Sequence, residues 1–318
     1  MKYGPYFFLL LVVVLGSCRK DHILKDSGIS LKLSADTVKF DTVFSRFDTL
    51  HAPLSTTRTV KVYNPYKNAV ETSVRLAGGA ASVYRINIDG TPASSIDNYK
   101  LAGGDSMYIF IQVTPRITTQ ANPLFVEDSI LITTNGHQQK IHLVAWGQDA
   151  HYFFQDTIKT DAVWNDKTKP YVIWDYLLVT PGVKLTIEEG VKICNHVGSD
   201  FNVMGTLEVN GTEKNPVVFQ GDRLERNLDD VPNQWLGIHF WPGAKDNVIR
   251  NAIIKNGVTG VRVDYLPANS NPNLIMNNTL IRTMSSSCLS SYSARVQCVN
   301  CVFIEAGQLC VYGQYGGD

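Results

Sequence analysis

Residues 248–261 read VIRNAIIKNGVTGV: an Asn, a short apolar run, and a Gly that closes it. Two later stretches keep the same frame, IMNNTLIRTMSSSC at 275–288 and QCVNCVFIEAGQLC at 297–310. All three are fourteen residues long with Asn in fourth place, at Asn251, Asn278 and Asn300, and their starts lie 27 and then 22 residues apart. Equivalent units joined by a loop of variable length are implied. Upstream, VKLTIEEGVKI and GTLEVNGTEKNPVVF put Leu185 and Leu207 in like positions 22 residues apart, each followed by a Gly turn and a second apolar run. A period near 22 with three short strands per unit predicts a right-handed parallel β-helix, in which each coil stacks its strands on the coil below. One unit alone cannot bury its apolar face, so the repetition is itself a condition of stability.

The Asn has a physical task in this frame. A tight turn between two strands of a coil favours a residue that tolerates the left-handed conformation, and Asn does so while its amide bonds the Asn of neighbouring coils. Alternation then turns inward position two (Ile249, Met276, Cys298), five (Ala252, Thr279, Cys301), seven (Ile254, Ile281, Phe303) and fourteen (Val261, Cys288, Cys310). Inward stacking accounts for the concentration of cysteine near the end. Cys288, Cys298, Cys301 and Cys310 admit three readings: small buried hydrophobes, a disulfide, or a metal site. Only one CxxC occurs, which weakens the metal reading, and no metal or other cofactor is expected. If a bridge forms, Cys288 and Cys310 are the pair, because like positions on neighbouring coils lie about 4.8 Å apart, within disulfide reach.

Before the repeats the grammar differs. From Ile29 to about Asp149, TRTVKVYN, SVYRINIDG, SMYIFIQVTP and DSILITTNGHQQKIHLVAWGQ alternate with period two and are punctuated by Gly, Asn, Asp and Pro. Half-buried antiparallel strands of a sandwich are predicted, with Asn135-Gly136 as a hairpin turn. The chain has 318 residues, with 29 Lys plus Arg against 29 Asp plus Glu. That balance supplies no positive field to attract nucleic acid. P-loop, GxGxxG-before-helix and GxSxG signatures are absent from the sequence, and its seven histidines show no metal-ligand spacing.

The opening MKYGPYFFLLLVVVLGSCRK has a basic start at Lys2 and an apolar run too short to span a bilayer, so it reads as an export signal. Its end, Leu15-Gly16-Ser17-Cys18, resembles a bacterial lipobox, which implies a lipid anchor on Cys18, a membrane partner and the outer membrane. Residues 1–17 are then the signal, 18–28 a tether, 29–150 the sandwich and 151–318 the β-helix. The sandwich resembles the immunoglobulin-like modules of Bacteroidota-type lipoproteins; no Cys pair lies inside it, so the antibody-type disulfide is absent and the resemblance implies the architecture alone. The Asn-led repeats resemble the asparagine ladder of pectate-lyase-like β-helices. The last segment, ending LCVYGQYGGD, carries no capping helix, and further coils are expected beyond it.

In pectate-lyase-like enzymes and phage tailspikes the solvent face of one sheet forms a sugar-binding groove. Aligning Gly237 with Gly260 puts His239 below Arg262 and Trp241 below Asp264, with Leu289 and Ser291 one coil further on. An aromatic ring beside planar hydrogen-bonding groups suits a sugar, so His239, Trp241, Arg262, Asp264 and Ser291 are the candidate glycan-binding residues. The alternative is an ordinary solvated face. Hydrolysis would need paired carboxylates, and this alignment offers Asp264 alone; a lyase would use Arg262 as base with calcium, for which no acidic cluster is evident. The long loop at 220–234, QGDRLERNLDDVPNQ, is the remaining candidate through Asp222, Arg223 and Arg226: it covers the groove, or its alternating charges pair with one another. The sequence therefore predicts a non-catalytic envelope lipoprotein that displays a β-helix for glycan binding, adhesion or assembly. A polysaccharide lyase or hydrolase and a structural spacer are the alternatives.

Overall fold

The computed structural model describes residues 22–45, 55–115, 124–265 and 271–315; Cys18 and the export signal lie outside the described residues. The chain divides into two compact units. One takes in Leu54–Thr114 and Val126–Ala145 with the stretch that ends at Lys39, and the other takes in Trp146–Asp318 with Phe40–Pro53 and Pro115–Phe125. The described residues are all-β, with two short 3-10 turns and no α-helix.

Two five-stranded sheets form the N-terminal immunoglobulin-like sandwich. The first runs in the order Lys32–Leu33, Arg58–Tyr63, Ser106–Val113, Tyr84–Ile88, Thr91–Pro92, and the second Thr37–Phe44, His137–Gln148, Leu124–Thr134, Val70–Leu76, Ser95–Leu101. Period-two alternation decides which side chains go in: in Ser106–Val113 every second residue, Met107, Ile109, Ile111 and Val113, is fully buried. Asn135 and Gly136 both have positive φ, 49° and 81°, as a tight hairpin turn requires.

The second unit is a parallel β-helix with three faces. The first face stacks Ala162–Trp164, Lys184–Glu188, Thr206–Asn210, Asn247–Arg250, Leu274–Asn277 and Val296–Val299. The second begins with the front half of Tyr171–Val179 and continues through Lys192–Asn195, Val217–Gly221, Ala252–Lys255, Leu280–Arg282 and Val302–Phe303. The third begins with the back half of Tyr171–Val179 and continues through Asp200–Val203, Gly237–Phe240, Thr259–Asp264, Ser287–Tyr292 and Leu309–Gln314. Inside, like residues stand in columns: Ile187, Val209, Ile249 and Met276 behind the first face, Ile193, Phe219, Ile254 and Ile281 behind the second. Each of these is fully buried. Burial of one such side chain contributes about 1.5–3 kcal/mol, and it is realised only when the coils above and below are present.

Asn251, Asn278 and Asn300 occupy one corner on three consecutive coils with φ of 47°, 50° and 54°, the left-handed conformation that the sequence assigns them. The amide ladder has one closed rung, Asn300 Nδ2 to Asn278 Oδ1 at 2.6 Å, while Asn251 Nδ2 donates instead to Gly211 O at 2.9 Å. The inward positions hold as predicted for Ala252, Thr279, Ile254, Ile281, Ile249, Met276, Val261 and Cys288. Cys298 and Cys310 keep the register of their columns but are exposed, because no described coil lies on top of them.

A second amide system was not read from the sequence. Asn247, 1% exposed, stands at the inward position between Leu207 and Leu274. Its Oδ1 accepts from Leu207 N–H at 2.8 Å, its Nδ2 donates to Asn273 O at 3.0 Å, and Asn273 Oδ1 accepts from Arg295 N–H at 2.9 Å. These two buried amides satisfy backbone groups that a dry corner would otherwise orphan.

Candidate functional site

Outward residues of the third face gather the predicted set. His239 pairs in register with Arg262, and each is followed two residues on by the next outward side chain, Trp241 and Asp264. His239 Nε2 lies 2.9 Å from Asp264 Oδ2. Arg262 Nε donates to both Asp264 oxygens at 3.0 and 3.1 Å, so one carboxylate is shared by a guanidinium and an imidazole. The Trp241 ring packs against His239 at a tilt of 33° with centroids 3.9 Å apart, and its Nε1–H donates to Asn202 Oδ1 at 2.6 Å. Two contacts thus fix the indole, which remains 41% exposed.

The structure corrects the alignment on the next coil. Arg262 pairs with Ser290 and Val263 with Ser291, whereas the sequence reading placed Leu289 and Ser291 beside Arg262 and Asp264. The turn through Thr283 and Met284 carries one residue more than the turn through Asn256 and Gly257, which shifts the register of Ser287–Tyr292 by one. Ser291 is therefore not on the face, and its hydroxyl donates to Ala294 O at 3.3 Å. Tyr292 takes the position above Asp264, its ring 4.9 Å from the Arg262 guanidinium carbon. Tyr312 follows, its ring 5.7 Å from that of Tyr292. Neither tyrosine was singled out from sequence; counting the extra residue between Arg282 and Ser287 would have found both.

A second carboxylate joins the face. Asp200 is in register with Gly237, which has no side chain to cover it. Burial pushes the Asp200 carboxyl above the usual carboxylate range, with His239 and Arg262 nearby pulling the other way. For Asp264 burial also works upward, but the hydrogen bonds from Arg262 and His239 outweigh it and hold the carboxyl below its ordinary value. The sign of each consequence differs. The stabilisation carried by Asp264 is fully present above about pH 4, where an unfolded Asp titrates, and fades as pH falls through its depressed folded value. Asp200, with a raised folded value, costs stability once pH rises above about 4 and regains it in acid. The Asp200→Asn variant is therefore expected to gain stability relative to the parent as pH rises from 4 to 7; urea midpoints at the two pH values measure it, and an unchanged difference refutes it.

The 220–234 loop does not lie over this face. Asp222 binds His196 Nδ1 at 2.7 Å, Arg223 pairs with Glu225 at 2.7 Å, and Arg226 opens the 3-10 turn Arg226–Leu228. Asp229 meets Lys255, Asp230 meets Arg282 at 2.7 Å, and Asn256 Nδ2 donates to Asp229 O and Val231 O at 2.7 and 3.0 Å. Arg223 and Glu225 pair within the loop, while Asp222, Asp229 and Asp230 latch it to strands and turns of the second face.

Cys288 and Cys310 stand on neighbouring coils in register, between the pairs Ser287–Leu309 and Leu289–Val311, and both are free thiols in this structure. Burial, then the neighbouring Cys310, pushes the Cys288 thiol up to about 12, and burial likewise pushes Cys298 up to about 11. Neither is a reactive thiolate at neutral pH. Among the described residues no group of three or more His, Cys, Asp or Glu side chains is arranged to hold a metal ion.

No known protein family and no curated protein matches the chain. Among solved structures, similarity is found to the CooA pilin subunit of enterotoxigenic Escherichia coli, at 13% identity over 37% of this chain and 97% of that one, with a TM-score of 0.26. The PapD-like domain 7 of human CEP192 is similar at 10% identity, over 42% of this chain and 99% of that one, with a TM-score of 0.27. The CupB6 tip adhesin of Pseudomonas aeruginosa is similar at 11% identity, over 40% of this chain and 43% of that one, with a TM-score of 0.28. Likenesses this weak carry no functional argument, and the chain's function rests on its own site.

Proposed function

We propose that the protein is a non-catalytic cell-envelope lipoprotein whose β-helix binds glycan on its third face. The observation that carries this reading is the Trp241 indole, exposed yet fixed by His239 and Asn202, beside the Asp264–Arg262 fork. A rigid aromatic plate gives a sugar an apolar surface at low entropic cost, and a fixed carboxylate–guanidinium pair orients its hydroxyls. Tyr292 and Tyr312 add two further aromatic rings along the coils, edge to face with one another. On a glycan array, the mature protein is expected to retain a defined set of glycans, and Trp241→Ala to weaken retention about tenfold, the equivalent of losing one aromatic stacking contact. A silent array supports the spacer reading instead, and binding indifferent to Trp241 removes the third face as its site.

Hydrolysis stays the alternative, because Asp200 and Asp264 both stand beside His239 and Arg262 on this face; one physical argument weighs against the lyase. A lyase would need Arg262 as base, but its hydrogen bonds to Asp264 raise an already high pKa and keep it a permanent cation. Lipid anchoring belongs to the same proposal: Cys18→Ala is expected to abolish incorporation of labelled palmitate and to move the protein from the membrane to the soluble fraction, while a labelled Cys18→Ala chain excludes the anchor.

A further inference from the structure

The asparagine corner does more than turn the chain. A cleft of about 540 Å³ runs along it, bordered on one side by Asn251, Asn278 and Asn300 and on the other by Ile253, Leu280 and Val302, with Glu213 at one end. Both borders are ladders in register: Ile253 pairs with Leu280 and Leu280 with Val302, and all three point outward from the second face. Consecutive coils thus present an amide and an aliphatic side chain at each step of about 4.8 Å.

The amides are not used up by the fold. Asn300 Nδ2 donates to Asn278 Oδ1 and Asn251 Nδ2 to Gly211 O. Among the described residues, Asn278 Nδ2 has no acceptor, and the carbonyl oxygens of the Asn251 and Asn300 side chains have no donor. The break in the ladder between Asn251 and Asn278 leaves one donor and one acceptor facing the cleft, and Asn300, on the last described coil, adds a second acceptor. Glu213 sits on the exposed loop between Thr206–Asn210 and Val217–Gly221 and adds a carboxylate at the rim.

From this arrangement we infer that the corner is a second glycan site, distinct from the Trp241 face, which takes a neutral oligosaccharide lying along the helix axis. The spacing selects the ligand class. An extended peptide presents same-side groups about 6.8 Å apart and falls out of step with rungs of about 4.8 Å, whereas in a β-1,4-linked chain, whose alternate units face the same way, same-side sugars recur at close to two rungs. Every second sugar can therefore set its apolar edge on Ile253, Leu280 or Val302 and give or take a hydrogen bond at the adjoining amide. Neutral hydroxyl or acetamido groups match uncharged amides, and they avoid the desolvation that burying a charge there would cost.

The test uses the mature protein, soluble β-1,4-linked hexasaccharides of glucose and of N-acetylglucosamine, and NMR of Asn side-chain amides. Asn278→Gly suits the purpose because Gly keeps the left-handed backbone while removing the amide. With one of the two sugars the amide signals of Asn251 and Asn300 are expected to shift, and Asn278→Gly to weaken binding roughly fivefold to tenfold, the loss of one hydrogen-bonding group. Leu280→Ser supplies an independent arm with a similar loss, checked against retained β-sheet circular dichroism. Trp241→Ala should leave these shifts in place. Amide signals unmoved at millimolar concentrations of both sugars overturn the inference, and shifts abolished by Trp241→Ala overturn its separateness. Either result stands apart from the array experiment, in which only the loss caused by Trp241→Ala is assigned to the Trp241 face.

Discussion

Gly237→Ala is expected to destabilise the β-helix by about 3 kcal/mol or more and to remove the candidate face with it. Gly237 opens the Gly237–Phe240 strand with φ of +134°, and a Cβ placed there would sit 1.7 Å from Thr259 O on the next coil. Two costs coincide. A side chain in that backbone region costs roughly 1–3 kcal/mol, and forcing an atom into close-packed backbone costs about as much again. The clashing carbonyl belongs to the residue that pairs with Ser287, so relief by movement would break the register that sets Arg262 over His239. Gly243→Ala separates the two costs: φ there is +103°, but the nearest atom is Met204 O at 3.8 Å, so only the strain remains. Denaturant midpoints of the two variants should differ by at least about 2 kcal/mol in free energy. Equal losses would mean that the coil yields at Thr259.

The fold was legible in the sequence because its physics is periodic. Leu185 and Leu207 lie in register on the first face, and Asn251, Asn278 and Asn300 share one corner. A stacked fold makes position within the repeat equivalent to position in space, so a repeat read by eye predicts contacts between residues 22 or 27 apart. The same property makes an error of one residue costly. Arg282 fills the place of Lys255, yet Ser287 and not Ser286 fills that of Thr259. From that point onward each outward residue is off by one, which is how Ser291 was named and Ser290 and Tyr292 were missed. Turn length leaves little trace in hydrophobic pattern, since both turns are short and differ by a single residue.

Asn247 and Asp200 were hidden for a different reason. Each is a polar residue whose role depends on what lies opposite: Leu207 N–H and Asn273 O for Asn247, and the bare Gly237 for Asp200. Composition around them is that of any turn. The 220–234 loop illustrates the limit further, since its alternating signs suggest internal pairing, while the partners of Asp229 and Asp230 are Lys255 and Arg282, residues of later coils.

Two tryptophans six residues apart give the sharpest contrast between fold and function. Trp235 is 1% exposed, its Nε1–H donates to Lys255 O at 2.8 Å, and its carbonyl accepts from Val258 N–H at 2.8 Å. Truncation of a buried Trp costs about 3–5 kcal/mol, a cavity and a lost contact set together, so Trp235→Ala is expected to lower stability by that amount. The loss should also release the 220–234 loop, because that loop ends at Trp235 and is latched through Lys255 and Asn256 on the same turn. Faster cleavage by trypsin at Arg223 or Arg226 reports that release. Trp235→Phe keeps most of the volume and leaves Lys255 O without its donor, which should cost only about 1–3 kcal/mol. Trp241→Ala removes an exposed ring and should change stability by less than about 1 kcal/mol while it reduces glycan retention. If the two effects were exchanged, with Trp235 dispensable to folding, the packed interior described for this turn would be wrong. A binding loss at Trp241 accompanied by unfolding would reduce the indole to a structural clamp.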